Sequence, residues 1–512
     1  MNKSIEDLRK NTKKKEGLVM SKIKIGWSEC NLLPEGAKVR LAGQFYERIS
    51  SEVETPVTVT AMAIECGEDQ AIFCSCDLCE TGEMLLASVR ERLKNVSGLS
   101  PEKVIISAIH THTGPGYANS SDLKGASLSV LAKILPETAE YKPLVTDDDI
   151  FDGAEAHEYI ADQIAKAAID AWNKREESVY SPGFGRAAVG MCRRVCYDDG
   201  SAKMWGDTNM ANFTELEGGN DSGIEMLFTF DTDKKITGVV ANVACPSQVL
   251  EHRNFISADY WGEVKKILRK EFGEDFYVLG LCSAAGDQCP RDMIRWVEPE
   301  TPINDPNIER ANVIERNADP SMFDLKGCKL AGRRISNEIL FAYEQISEYV
   351  SDTELLHKSF RMDVPLRRVT IAEKDEAVSK IEEFAKTAES FDFKDNARLH
   401  VYAGTIARYE YQQEVNMNTI EVHVLKLGDL AFATNPYELF LNYGNLIRAR
   451  SKAKQTFLIQ LSCGSHGYLP TKKAEKGSHY SAYISSGNTG HAGGDILVRK
   501  TLSEINDMWN RE

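Results

Sequence analysis

The chain has no run of about 18 apolar residues, so no segment reads as a membrane-spanning helix. It also lacks the apolar stretch of a secretory signal: the N-terminus is polar and carries Lys13-Lys14-Lys15. Basic residues are in deficit, with 61 Lys and Arg against 77 Asp and Glu, a net charge of −16 without long single-sign blocks. That balance argues against nucleic acid as a partner and against a polybasic membrane patch. No internal repeat and no low-complexity linker interrupts the chain. What remains is an ordinary globular composition, 42% hydrophobic and 27% charged, over 512 residues, enough for a large core. Residues 1–20 are expected to form a loose extension, with Met20 a second candidate start beside Met1. Residues 21–512 are expected to form one domain with loop insertions near 117–149 and 296–321. Twelve cysteines without a signal peptide predict reduced thiols and a cytoplasmic location.

Strand-like and helix-like runs alternate throughout. Pro56–Glu65, Ala71–Asp77, Val104–Ile106, Ile224–Phe230, Ile236–Ala244, Phe276–Cys282, Ile420–Leu427, Leu430–Thr434 and Thr456–Leu461 read as strands. Glu83–Asn95, Ala154–Arg175, Tyr260–Phe272, Asp324–Tyr349, Ile371–Ser390 and Leu439–Lys452 read as helices. The mixture of adjacent strand pairs and crossovers predicts an α/β fold, a mixed β-sheet covered by helices.

Candidate chemistry gathers just past predicted strands. Ser107-Ala108-Ile109-His110-Thr111-His112-Thr113-Gly114-Pro115-Gly116 follows a buried strand and ends in a turn. Strand alternation would point His110 and His112 the same way, and paired imidazoles at a strand's C-terminal end suit a metal or catalysis. Cys245 ends a second strand and is a soft-ligand candidate, with Glu251 and His252 competing for the role. Cys74, Cys76 and Cys79 superficially resemble a metal cluster, but the run Ala71–Leu78 reads as a strand whose cysteines are core residues. Gly286-Asp287-Gln288-Cys289-Pro290, Thr434-Asn435-Pro436-Tyr437-Glu438 and Gly464-Ser465-His466-Gly467-Tyr468-Leu469-Pro470-Thr471 complete five strand-end elements. Several strand ends converging on one site is the usual construction of α/β enzymes.

The order of these elements resembles the neutral/alkaline, non-lysosomal ceramidase family, over roughly Ile25 to Leu497. His110-Thr111-His112-Thr113-Gly114-Pro115-Gly116 looks like that family's His-Thr-His-Ser-Gly-Pro-Gly. Ile256-Ser257-Ala258-Asp259 is similar to its Ile-Ser-Ser-Asp, and Gly286-Asp287-Gln288-Cys289-Pro290 to its Gly-Asp-Val-Ser-Pro. Pro436-Tyr437-Glu438 is similar to Pro-Gly-Glu, and Tyr468-Leu469-Pro470-Thr471 matches the tyrosine-bearing segment. The resemblance implies a ceramidase-like zinc amidase domain with one zinc per chain, held by His110, Cys245, Glu438 and Tyr468, Cys245 standing where the family has a histidine. It implies His112 as general base, Tyr468 as oxyanion stabiliser, and Arg193, Asp259 and Asp287 as substrate contacts. Cys289 stands where the family has a serine, so a serine nucleophile is excluded. The implied reaction is hydrolysis of an amide or ester by metal-activated water, on a soluble small molecule rather than ceramide. A metal-dependent isomerase or lyase and a non-catalytic ligand-binding homologue are the alternatives. A homo-oligomer is compatible with the sequence.

Overall fold

The computed structural model describes residues 20–117, 129–136, 140–141, 149–295, 323–391 and 393–510. The expected N-terminal extension and most of both expected insertions lie outside the described residues.

One large mixed sheet organises the chain. Its strands are β1 (Ser21–Asn31), β2 (Thr58–Cys66), β3 (Asp69–Cys76), β4 (Val104–Ala108), β5 (Glu176–Arg186), β6 (Gly223–Asp231), β7 (Ile236–Val243) and β8 (Tyr277–Cys282), in the order β8-β7-β6-β5-β1-β2-β3-β4. The short strand Asp352–Thr353 also pairs with β1. A second sheet, β9 (Leu355–Pro365), β10 (Met417–Leu427), β11 (Leu430–Thr434) and β12 (Gln455–Ile459), runs in that order.

Within these two sheets three strand pairs are parallel: β3 with β4, β7 with β8, and β11 with β12. Parallel neighbours need a crossover, and each pair has a helix in its connection. These are α1 (Glu83–Leu93), α3 (Tyr260–Phe272) and α7 (Leu441–Arg450). α2 (Gly153–Asn173) packs on β1 and β2, and α3 with α4 (Leu325–Glu344) covers β5, β6 and β8. α5 (Ile371–Ala385) and α6 (Phe393–Glu414) pack on each other, burying Ile381, Leu399 and Ala403. α8 (His491–Trp509) lies with α7 against the second sheet.

The sheets meet through aromatic side chains. The Phe73 ring is 5.3 Å from Phe432, which stacks on Phe457 at 4.4 Å. Each buried ring contributes roughly 1.5–3 kcal/mol by leaving water. Sheets covered on both faces favour continuous apolar strands, and every residue of β4 is buried. Cys74 and Cys76 are fully buried in β3, as the strand reading of that run requires. The chain is thus α/β, a mixed sheet covered by helices, and the C-terminal ends of its three parallel pairs carry the elements singled out in the sequence.

Candidate metal centre

β4 ends at Ala108, so strand alternation does not orient the two histidines. The chain instead turns through His110, whose φ is +66°, before Thr111 and His112. This turn sets the rings edge to face, 4.9 Å apart, with the two Nε2 atoms 3.4 Å from each other. His110 Nδ1 lies 2.6 Å from the Cys79 carbonyl oxygen, a pure acceptor, so Nδ1 carries the hydrogen and Nε2 faces the site. Cys79 follows β3, and β3 and β4 are parallel neighbours, which is why their trailing segments meet. Its Sγ is 3.7 Å from His110 Nδ1, and the ligand atoms of Cys79, His110 and His112 all lie within 4.8 Å of one another.

Glu438 enters from the second sheet's side. It was expected at a helix N-terminus; it lies instead in a two-residue strand, Glu438–Leu439, paired parallel with Tyr468–Leu469. Glu438 and Tyr468 are direct partners in that register, so residues 30 apart in sequence stand side by side. Glu438 Oε2 is 3.2 Å from His110 Nε2. Gly286 makes this approach possible: a Cβ there would sit 2.3 Å from the Glu438 carbonyl oxygen. Gly286 N–H also donates to Leu439 O at 2.8 Å.

Arg193 backs the tyrosine. Its Nη2 donates to Tyr468 Oη at 3.2 Å and to Gly286 O at 2.9 Å, and its Nη1 to Gln248 Oε1 at 3.3 Å. Tyr480 packs edge-on against the Tyr468 ring at 5.5 Å. His112 is held by a loop and a carboxylate. Arg48 Nη2 donates to its carbonyl at 2.6 Å, Gly43 lies against its ring, and Glu251 Oε2 is 3.2 Å from Nδ1.

The electrostatics follow from burial and proximity. Burial opposes a charge on His110, yet the Cys79 thiol and the Glu438 carboxylate together raise its pKa well above the imidazole range. Burial pushes His112 down to about 4, so it is a neutral base at neutral pH. Burial also opposes the charge of Glu438, but His110, Arg193 and Tyr468 bring it below the usual carboxylate range. Tyr468 is raised well above its ordinary value, by burial and then by Glu438.

The structure therefore brings His110, His112, Glu438, Tyr468 and Arg193 together. Cys245 is not among the residues whose ligand atoms gather around His110, although the Arg193 charge acts on its thiol. The Cys245 thiol belongs to the core under α3 and α4 and points at the carbonyls of Val189 and Pro246, at 3.6 and 3.5 Å. The Asp259 and Asp287 carboxylates are buried and engaged with the backbone. Asp259 accepts from the backbone N–H groups of Leu250 and Tyr260, each at 2.8 Å, and Asp287 from that of Leu441 at 2.8 Å. Both carboxylates shape turns that carry site residues. The Cys289 thiol is buried against Arg291 O, and burial raises it to about 12, far from a thiolate at neutral pH. Glu251, which competed with Cys245 in the sequence, lies beside His112, and His252, the other competitor, lies 3.4 Å from Glu251. Arg48 and Tyr480 were not anticipated as site residues, and Cys79 was weighed as a metal ligand with Cys74 and Cys76 and set aside. Only Cys79 had a sequence signal, its place just past a strand parallel to the one leading to His110.

No family model and no curated protein matches the sequence. The structure does match solved ones. Against a crystal structure of the neutral ceramidase from Pseudomonas aeruginosa the TM-score is 0.63 at 14% identity, covering 95% of this chain and 75% of the other. Against a ceramidase complexed with C2 it is 0.64 at 13% identity, covering 96% and 76%. The fold of this chain is ceramidase-like.

Proposed function

We propose that this protein is a zinc-dependent hydrolase that cleaves an amide or ester bond in a soluble small molecule. One observation carries the reading: Glu438 Oε2 stands 3.2 Å from His110 Nε2 with Tyr468 its direct register partner, and His112 Nε2 stands beside them, 3.4 Å from His110 Nε2. Two ligands on one tetrahedral zinc, each at ~2.0–2.1 Å, are separated by about 3.3–3.4 Å. The donor chemistry also fits, with imidazole nitrogens, a carboxylate and a phenol, and the N–H of His110 turned outward onto a carbonyl as metal-bound histidines require. His110, Glu438 and Tyr468 are the residues we assign to hold the ion, one per chain, with His112 beside them and Cys245 left out of the set.

Zinc bound here supplies Lewis acidity toward a carbonyl and an acidic water. The chain's own residues supply the rest. His112, neutral and buried, accepts the water's proton at Nε2. Arg193 donates to the Tyr468 oxygen and, with Glu438 beside it, fixes the phenol where it would stabilise negative charge developing on the substrate oxygen. Asp259 and Asp287 act on turns rather than on substrate. No helix among the described residues is long and apolar enough to cross a membrane, and all twelve cysteines are free thiols, which supports a reducing compartment such as the cytoplasm.

The test is zinc analysis of the purified protein beside His110→Ala and Glu438→Gln, with amine release measured on a panel of short N-acyl amides and acid release on short esters. The reading expects about one zinc per chain, lost in both variants together with turnover. A protein that takes up no zinc when it is added back, yet binds small ligands, would instead be a non-catalytic homologue. Zinc with a product other than an acid plus an amine or alcohol would reassign it to an isomerase or lyase.

A further inference from the structure

We propose that Arg194 is a positioning residue: with Glu217 it clamps the left-handed loop Ser478–Ser481 and so sets Tyr480 against the Tyr468 ring. The consequence for turnover rests on the assignment of Tyr468 to the metal centre given above; the clamp itself does not. The loop is strained. Ser478, His479 and Ser481 have φ of +59°, +70° and +68°. L side chains avoid that region, because Cβ crowds a carbonyl oxygen there. Such residues, gathered in so short a loop, persist only where the surroundings hold them. Arg194 opens the short strand Arg194–Tyr197, and its side chain is 0% exposed. Its Nε and Nη2 donate to the two oxygens of Glu217 at 2.9 and 3.0 Å. The same guanidinium reaches the loop: Nη2 donates to Ser478 O at 2.8 Å, and Nη1 to Tyr480 O at 3.0 Å and Ser481 Oγ at 3.4 Å. A planar fork of five N–H groups can span a carboxylate and two loop carbonyls at once; a lysine ammonium, a single point, cannot.

The two neighbouring arginines divide the tyrosines between them. Arg193 donates to Tyr468 Oη, and Arg194 holds the backbone that carries Tyr480. After the Tyr468–Leu469 strand the chain forms the helix Lys472–Gly477 and doubles back. Arg194 Nη2 follows this return as well, 3.4 Å from Ala474 O in that helix. The Tyr480 ring then stands edge-on to Tyr468 at 5.5 Å and to Phe45 at 5.6 Å. The far end of the loop is fixed separately: Arg367 Nη1 donates to Ala482 O at 2.7 Å, and His479 O accepts from the N–H groups of Ala482 and Tyr483 at 2.9 and 2.8 Å. Met204 N–H donates to His479 Nδ1 at 3.1 Å. The Ser478 and Tyr480 carbonyls are satisfied by Arg194, one on each side of His479. Releasing them frees the strained residues to leave the left-handed region, and Tyr480 moves with them. Arg194 touches no reacting atom; it acts on the site through the backbone of Tyr480.

The test is amide hydrogen exchange on the full chain, read by mass spectrometry, in the parent, Arg194→Lys and Glu217→Gln. In both variants the amides of 476–486 are expected to exchange about tenfold faster or more, while those of β2, β7 and β8 keep the parent's protection. Ser478→Gly added to Arg194→Lys should restore part of the loop's protection, because glycine takes a left-handed φ without strain. On any amide the parent hydrolyses, Arg194→Lys should lower kcat by about 10–10²-fold, with KM within about threefold and zinc content unchanged, and Ser478→Gly should recover part of that loss. An arginine that only stabilises the fold would give no such recovery. Unchanged loop exchange in both variants overturns the inference. So does faster exchange with kcat unchanged, or a loss of protection spread over the sheet that Ser478→Gly does not recover. Should Arg194→Lys fail to fold, Glu217→Gln, alone and with Ser478→Gly, decides. If the protein hydrolyses nothing, the exchange data alone decide whether Arg194 clamps the loop, so failure of this inference and failure of the hydrolase reading are separate outcomes.

Discussion

Replacing Cys245 with alanine separates a core thiol from a metal ligand. The side chain is fully buried, and its sulfur rests on two backbone carbonyls rather than on the histidine pair. Deleting one buried heavy atom costs the transfer term plus a small cavity, about 1–2 kcal/mol together. A domain this large has an unfolding entropy near 1 kcal/mol per degree, from about 2 cal/mol/K per residue, so Tm should fall by only about 1–2 °C. Zinc content and kcat/KM should stay within about twofold of the parent, whereas the same truncation at His110 should cost tenfold or more in metal affinity. Calorimetry and zinc analysis on the same preparations check both numbers. Loss of zinc in Cys245→Ala to the extent seen in His110→Ala would refute the reasoning and return the thiol to the ligand set.

Two further expectations follow from the packing. Gly43 has φ +93°, and a Cβ there would lie 2.5 Å from His112 Cγ. Gly43→Ala should therefore cost about 1–2 kcal/mol in backbone strain and displace the imidazole, giving a larger fall in turnover than in stability. Arg90 grips both oxygens of Glu421 at 2.6 and 3.0 Å beside the buried His423, and Glu421→Gln should destabilise by about 1–3 kcal/mol by leaving the guanidinium without its charge partner. Burial opposes the charge of Glu421, but its hydrogen bonds from His423 and Arg90 depress it to about 2. A depressed carboxylate stabilises the fold fully above its unfolded value near 4.5 and loses that contribution as pH falls toward 2. Acid titration of Tm should show the parent losing stability over that window and Glu421→Gln losing less; parallel curves would remove Glu421 from the account.

The amino-acid order determined the parallel crossover units and their turns. Val104-Ile105-Ile106, Ile236–Val243 and Leu430–Thr434 are apolar runs bounded by turn residues, and each became a buried strand ending near a site residue. Tyr260–Phe272 is a helix over the residues its periodicity indicates. Those local patterns are strong because a strand covered on both faces must be apolar throughout. Other elements were silent in the sequence. β5 contains Pro182 and two glycines, and β9 carries Lys358, Arg361 and Asp363, so neither advertises a strand; each is held by the neighbour it pairs with, β6 and β10.

The site divides in the same way. His110, His112, Glu438 and Tyr468 could be picked from chain order because each follows a recognisable strand. Which of them touch was decided by long-range geometry: the left-handed turn at His110, and the two-residue pairing that sets Glu438 beside Tyr468. Cys245 and Glu251 show the limit most clearly. Both lie in the segment after β7, within seven residues of each other, and sequence could rank them only by ligand type. The tertiary fold places one thiol in the helix-covered core and turns the carboxylate onto the imidazole, because side-chain direction past a strand's end depends on what the loop packs against and no longer on the strand's period.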